Sequence, residues 1–158
     1  MAKAMVIYFS KTGHTRKMAE SVTEGIAKAG INVTMMDVTK ANLADLLTAD
    51  AIILGSPTYY GGMAAELKQF IDESVKLHGK LHGKVGGAFS SSGILGGGNE
   101  TTIRGIIDAL LIHGMIVHGH PKIAHYGPIA IGEPDKKALS ECTAYGEMIG
   151  ELTAKLTG

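Results

Sequence analysis

The chain has 158 residues, 15 of them basic and 15 acidic, with 45% hydrophobic residues and one cysteine, Cys142. That size suits one domain, and the balanced charge offers no basic field for nucleic acid or for an anionic membrane surface. A lone thiol excludes an internal disulfide, a thiolate-held iron–sulfur cluster and a CxxC redox pair, and it fits a reducing, cytoplasmic setting. The apolar run Ala4 to Phe9 is shorter than a signal-peptide core and leads straight into polar residues. No stretch is long enough to insert into a bilayer.

Short apolar runs alternate with helical patterns along the chain. Ala4 to Phe9 reads as a strand buried on both faces, and Met18, Val22 and Ile26 then recur at helical spacing. Ile31 to Val38 is a more amphipathic strand, which places it near a sheet edge. Ala51 to Gly55 is a second central strand, followed by a helix marked by Met63, Leu67, Phe70 and Ile71. Val85 to Ser90 is the third central strand, and Ile103, Ile106, Ile107, Leu110 and Leu111 mark the next helix. Met115 to His118 begins the last strand, which Ile129 to Ile131 continues after a loop. Leu139, Cys142, Ile149 and Leu152 fit a C-terminal helix. Strands alternating with helices argue for an α/β parallel sheet covered on both faces. One domain over residues 1–158 is expected, a three-layer sandwich with five parallel strands in the flavodoxin-like order 2-1-3-4-5.

In such a sheet ligands sit beyond the carboxyl ends of the strands. Three loops fall there. Ser10-Lys11-Thr12-Gly13-His14-Thr15 follows a buried strand and opens a helix. Backbone N–H groups at a helix N-terminus favour a phosphate, and Ser10, Thr12 and Thr15 add hydroxyls. An ordinary helix cap with polar neighbours is the plainer alternative. The loop matches neither a Walker A sequence nor a dinucleotide fingerprint. Gly55-Ser56 ends strand three without the aspartate a phosphoacceptor receiver would need. The second loop, Ser56-Pro57-Thr58-Tyr59-Tyr60-Gly61-Gly62, offers aromatic faces for an isoalloxazine and glycines that let a peptide turn over. A peptide carbonyl there would suit flavin N5. The third, Ser90-Ser-Ser-Gly-Ile-Leu-Gly-Gly-Gly98, is rich in backbone N–H groups that would face the pyrimidine edge of a flavin, where charge collects on reduction. A plain turn and a flexible surface loop are the alternatives for these two.

These loops in this order resemble the flavodoxin superfamily, and more narrowly the WrbA-type NAD(P)H:quinone oxidoreductases. The resemblance runs through Met1 to His14, Gly55 to Ala64, Val85 to Thr102, Leu111 to Met115 and Tyr126-Gly127. It implies FMN as cofactor. Its phosphate would be held by Ser10, Lys11, Thr12, Gly13, His14 and Thr15. Its isoalloxazine would be lined by Pro57, Thr58, Tyr59, Tyr60 and Gly61, and its pyrimidine side by Ser91, Ser92, Gly93, Ile94, Gly96, Gly97 and Gly98. His113 matches a family histidine that touches the flavin. The activity implied is transfer from NAD(P)H, a transient donor, to a quinone-like acceptor, with no side chain needed as acid or base.

The chain departs from the family pattern at Tyr59-Tyr60, where Arg-Phe is usual, and at Ile94-Leu95, one residue longer. The family's pocket-wall tryptophan before strand four is missing, with Ser74 to Lys84 in its place. The connections after strand two and before Tyr126 are short. They contribute to the family's tetramer, so a homo-oligomer is the part of the resemblance these segments do not carry over. The size and trimmed connections also suit a flavodoxin-type electron carrier docking to redox protein partners. An FMN-binding regulatory module without turnover is a third reading. Among the other histidines, His118, His120 and His125 have no acidic or thiol partner nearby to make a metal site. His78 and His82 read as solvated, and Cys142 reads as core.

Overall fold

The computed structural model describes residues 1–158. In chain order the elements are β1 (Lys3–Tyr8), α1 (His14–Lys28), β2 (Asn32–Asp37), α2 (Asp45–Thr48), β3 (Ala51–Tyr59), β4 (Gly62–Met63), α3 (Ala65–Glu73), β5 (Val85–Ser92), α4 (Asn99–Ile112), β6 (Ile116–Val117), β7 (Ile129–Ile131) and α5 (Lys136–Thr157). The sheet order is β2-β1-β3-β5-β6, all parallel, and β7 also pairs in parallel with β5. Beyond the parallel core, β4 lies antiparallel on β3.

The expected five strands in the order 2-1-3-4-5 are therefore corrected to seven, for two physical reasons. β3 does not stop at Gly55. It runs on to Tyr59, and the chain folds back as β4, pairing Thr58 with Met63 and Tyr59 with Gly62. The outermost position is also broken. β6 pairs only with Val85 and Gly86, whereas β7 pairs with Ser90, Ser91 and Ser92. Between those contacts the N–H of Ala88 faces a gap, since Ser90 N–H, two residues on, points the same way to Pro128 O. The Tyr145 hydroxyl of α5 accepts that N–H at 3.1 Å, a bond that a continuous neighbour strand would otherwise make.

Side chains alternate across the central strands, as the two-residue strand period requires. Ala4, Val6 and Tyr8 of β1 face one core with Met18, Val22 and Ile26 of α1 and Cys142, Tyr145 and Ile149 of α5. Met5 and Ile7 face the other, with Leu67 of α3 and Ile103, Ile106 and Leu110 of α4. Each fully buried aliphatic side chain here contributes roughly 1.5–3 kcal/mol. Two cores of that kind hold the carboxyl ends of β1, β3 and β5 side by side, which is what places the three loops together. β2 is half exposed along its length, as an edge strand should be. No helix is long and apolar enough to cross a membrane.

Candidate functional site

The first loop, Ser10 to Thr15, leaves β1 and enters α1 through Gly13, whose φ of 97° is left-handed. Gly13 at the cap position has no side chain to offer the helix, and no acid sits in its first turn. The Ser10 hydroxyl oxygen accepts from Gly13 N–H at 3.1 Å and from Arg16 N–H at 3.3 Å, so its own hydrogen is left to donate outward. The N–H groups of Lys11, Thr12, His14 and Thr15 have no carbonyl or side-chain acceptor in the chain. Four uncommitted N–H groups and a free hydroxyl proton, at the positive end of a 15-residue helix, form an anion cradle. Lys11 and Thr12 are exposed, and the half-buried His14 lends its N–H to the cradle.

Thr15 is buried, and its hydroxyl meets the Ser91 hydroxyl at 2.9 Å, which ties the cradle to β5. Lys17 of the same helix pairs with Glu133 in the turn after β7. That hydrogen bond and charge hold the Glu133 carboxyl below its usual range.

The second loop is a β-hairpin. Tyr60 (φ 49°) and Gly61 (φ 77°) are both left-handed, the pair of conformations that a two-residue type I′ turn demands. Ser56 braces its base, accepting from Ala64 N–H at 2.9 Å and donating to Pro57 O at 2.8 Å. Tyr59 and Tyr60 project from the tip, with Tyr60 fully exposed.

The third loop differs from the expectation in where it begins. Ser90, Ser91 and Ser92 are the buried end of β5, not loop, and their hydroxyls are spent inside the protein. Ser90 meets the Thr58 hydroxyl at 2.9 Å, and Ser92 donates to Asn99 Oδ1 at 2.5 Å. Their backbone is engaged as well: Ser91 pairs with Pro57 and Ala130, and Ser92 O accepts from Gly132 N–H at 2.7 Å. The free loop is Gly93 to Gly98, closed by a turn from Gly97 N–H to Ile94 O at 3.1 Å. Ile94 and Leu95 stand exposed at its tip, and Gly93 and Gly96 border open space.

Three residues without a sequence-based role hold loops two and three together. Asn99 is buried and donates to Ser90 O at 3.2 Å. The Thr102 hydroxyl reaches Thr58 Oγ1 at 3.1 Å and Gly98 O at 2.9 Å. The Thr101 hydroxyl reaches Gly61 O at 2.6 Å and Gly98 O at 3.0 Å. Gly98, with φ of 112°, lies so close to the hairpin that a Cβ there would come within 2.7 Å of Gly61 Cα. The signal that could have pointed to these residues is the polar run Asn99 to Thr102 at the start of an otherwise apolar helix.

The structure brings together every expected site residue except His113, which is a correction. His113 caps the far end of α4, beside Gly114, whose carbonyl accepts from Gly83 N–H just ahead of β5. That is the opposite edge of the sheet from the loops. The His113 Nε2–H donates to Ser74 Oγ at 2.7 Å, since the Ser74 hydroxyl itself gives to Ile71 O at 2.6 Å. Its Nδ1 is buried without a partner. Burial, with His78 alongside, holds the imidazole below its ordinary pKa. Ser74 to Lys84, the segment standing where the missing tryptophan would be, lies at the same far edge and packs Leu77 and Leu81 into a core. Elsewhere, His120 Nδ1 accepts the N–H groups of Lys122 and Ile123 at 3.1 Å, so that ring braces its own loop. Burial pushes the Cys142 thiol up to about 12, which makes it a poor nucleophile.

A sequence-family profile described as Flavodoxin domain matches residues 5–95. A flavodoxin from Aquifex aeolicus is 38% identical over 98% of this chain and 88% of its own length. An NAD(P)H dehydrogenase (quinone) from Sinorhizobium fredii is 41% identical over 84% of this chain and 77% of its own. Among solved structures, a flavodoxin, WrbA-like protein from Agrobacterium tumefaciens superposes with a TM-score of 0.86 at 29% identity, covering 98% of this chain and 99% of that one.

Proposed function

This chain belongs to the flavodoxin family, and we propose that it holds FMN in the three loops and passes electrons from NAD(P)H to a quinone-like acceptor. The observation that carries the reading is the set of uncommitted N–H groups at Lys11, Thr12, His14 and Thr15 around the start of α1. A phosphate monoester fits that cradle in charge, donor count and helix polarity. The exposed rings of Tyr59 and Tyr60 and the apolar tip Ile94-Leu95 fit a flat, largely apolar ring system beside it.

When bound, the flavin supplies the hydride and electron chemistry. The chain's own residues bind and orient. The α1 terminus and the Ser10 hydroxyl fix the phosphate. The hairpin and the Gly93–Gly98 loop set the plane of the ring and present backbone dipoles to its edge. These dipoles are prepaid in folding, because Asn99, Thr101 and Thr102 hold both loops in place before any ligand arrives. Apart from His14 in the first loop, the three loops hold no histidine, cysteine or carboxylate as a ready acid or base. Proton exchange would fall to solvent at the open rim or to the Tyr59 and Tyr60 hydroxyls. NAD(P)H as donor is supported by the quinone dehydrogenase relatives.

The test is direct. Purified protein loaded with FMN is mixed with NADH or NADPH and benzoquinone, and the expected outcome is turnover well above that of free FMN. Turnover no faster than free FMN sinks the enzymatic reading while leaving cofactor binding to be judged by the absorption spectrum. A carrier for redox protein partners is the second reading. It is favoured by the exposed rim of Tyr60, Ile94 and Leu95, which no chain segment walls in, and by the Aquifex flavodoxin. Well-separated one-electron steps on photoreduction would support the carrier.

A further inference from the structure

The two edges of the sheet differ in character. β2 carries Asn32, Thr34 and Asp37 among its six residues, polar groups that discourage a neighbour. On the other edge, beside the third loop, β7 reads Ile129-Ala130-Ile131, with no charge, proline or bulge to blunt it. Its pairing with β5 turns Pro128 O onto Ser90 N–H and Gly132 N–H onto Ser92 O. Peptide groups of alternate residues point to opposite edges of a strand, so those of Ala130 also face β5. The N–H and C=O of Ile129 and of Ile131 face outward, and nothing in the chain takes them.

That edge lies between two grooves. On the α4 side Ile129 and Ile131 line one of them with Leu95 and Thr101. On the α5 side Ala130 lines the other with Ala138, Lys137 and Glu141. An added strand would find hydrogen bonds along its backbone and a groove on either face for its side chains.

The edge is also complementary to itself. A second copy turned about a two-fold axis beside Ala130 sets Ile129 opposite the partner's Ile131, and Ile131 opposite the partner's Ile129. Both are hydrogen-bonded antiparallel pairs that exchange two bonds each, so every outward group is used. The four isoleucines then stand on one face as β-branched cross-strand pairs. Ala130, on the other face, lies opposite its own copy. Charge does not oppose the match. Lys137 and Glu141 cancel within the α5-side groove, and the Asp135 carboxylate caps α5 through Ala138 N–H at 2.8 Å. Glu100, on the α4-side groove, sits in the first turn of α4, where the helix favours a carboxylate.

We propose that β7 is a dimerisation edge, on which two copies of this chain join their sheets through antiparallel Ile129–Ile131 strands. Leu95, Gly96 and Gly98 border the α4-side groove, so the partner covers the outer flank of the third loop. The proposal does not depend on which cofactor or acceptor the loops take.

The test is the solution mass of the whole chain by light scattering, from low to high micromolar concentration, with hydrogen exchange on the same samples. The expected mass rises to that of two chains, and exchange at the Ile129 and Ile131 amides slows by at least about tenfold as it does. Ile131→Pro removes an outward N–H and leaves the β5 side of the strand intact. Symmetry makes that two lost bonds, at about fivefold each, so the dissociation constant should rise roughly 25-fold. Ile131→Lys keeps the backbone, sets two like charges near the axis and should also give the mass of one chain. Far-UV circular dichroism checks that each variant is folded, and the lysine variant decides if the proline variant is not. A wild type that keeps the mass of one chain throughout overturns the proposal and leaves the edge to a strand of another protein. A dimer whose Ile129 and Ile131 amides exchange freely overturns it, and so does one that a folded Ile131→Lys leaves intact.

Discussion

The two ends of helix α4 make opposite use of polar side chains. At its start, Asn99, Thr101 and Thr102 have their donors placed, on Ser90 O, Gly61 O, Gly98 O and the Thr58 hydroxyl. At its end, His113 makes one bond, to Ser74, and leaves Nδ1 buried and alone among Phe70, Ile71, Leu110 and Met115. One end is a scaffold that holds two loops open toward a ligand. The other is a closed, mostly apolar corner that tolerates one neutral imidazole. The lesson is that chemistry-bearing residues on one helix need not belong to one site. A histidine at the far end is set by packing, while plain threonines at the near end are the ones facing the cofactor loops.

The strongest test of the contrast is Gly98→Ala. Its Cβ would crowd Gly61 and would sit on a left-handed backbone. FMN affinity should fall more than tenfold, with a stability loss of about 1–3 kcal/mol, read by flavin titration and by denaturant unfolding. Next, Asn99→Ala removes the partner of both Ser90 O and the Ser92 hydroxyl in a buried place. It should cost about 1–3 kcal/mol and weaken FMN by several-fold in the same assays. At the other end His113→Gln should leave FMN affinity within twofold of wild type. A large, protein-concentration-dependent loss would break the contrast, because it would mean that a second copy brings His113 to the flavin.

The smallest effect is also the most specific. The folded-state pKa of His113 lies below its unfolded value near 6.5. The unfolded chain therefore binds the proton more readily, and stability rises with pH across that window. The stabilisation of the neutral ring is fully present above the unfolded pKa and is lost as pH falls through the folded one. Thermal melts of the wild type should drop on acidification from about pH 7. His113→Gln should flatten part of that slope, with no change in flavin spectrum at any pH.

Much of this could be read from residues alone, and the exceptions have definite causes. β1, β3 and β5 announce themselves because burial on both faces leaves continuous apolar runs. α1, α3 and α4 do so through helical spacing. The four-residue α2 is too short for any periodicity, and so is the two-residue β4. The hairpin was hidden for a second reason. A type I′ turn advertises itself through Asn-Gly or Gly-Gly, and here Tyr60 occupies a left-handed place for which its side chain gives no sign. The anion cradle was legible because a helix N-terminus after a buried strand fixes its own geometry. Beyond Ser90, the expected end of the strand, Ser91 and Ser92 read as loop because Ser-Ser-Gly looks like one, although hydroxyls with partners can be buried in a strand. His113 could have been placed by arithmetic. A helix that starts at the loops and runs 14 residues ends about 21 Å away.

The hydroxyl of Tyr145 has a consequence for how this architecture can vary. Because it satisfies Ala88 N–H from above the sheet, the stretch between Val117 and Ile129 carries no obligation to pair with the middle of β5. Ahead of Pro128, whose carbonyl still takes the Ser90 N–H, residues can be added or taken without leaving Ala88 N–H dry. The fold thus has a built-in expansion joint next to the site, where lineages can lengthen or trim a connection while the loops that meet the ligand stay where they are.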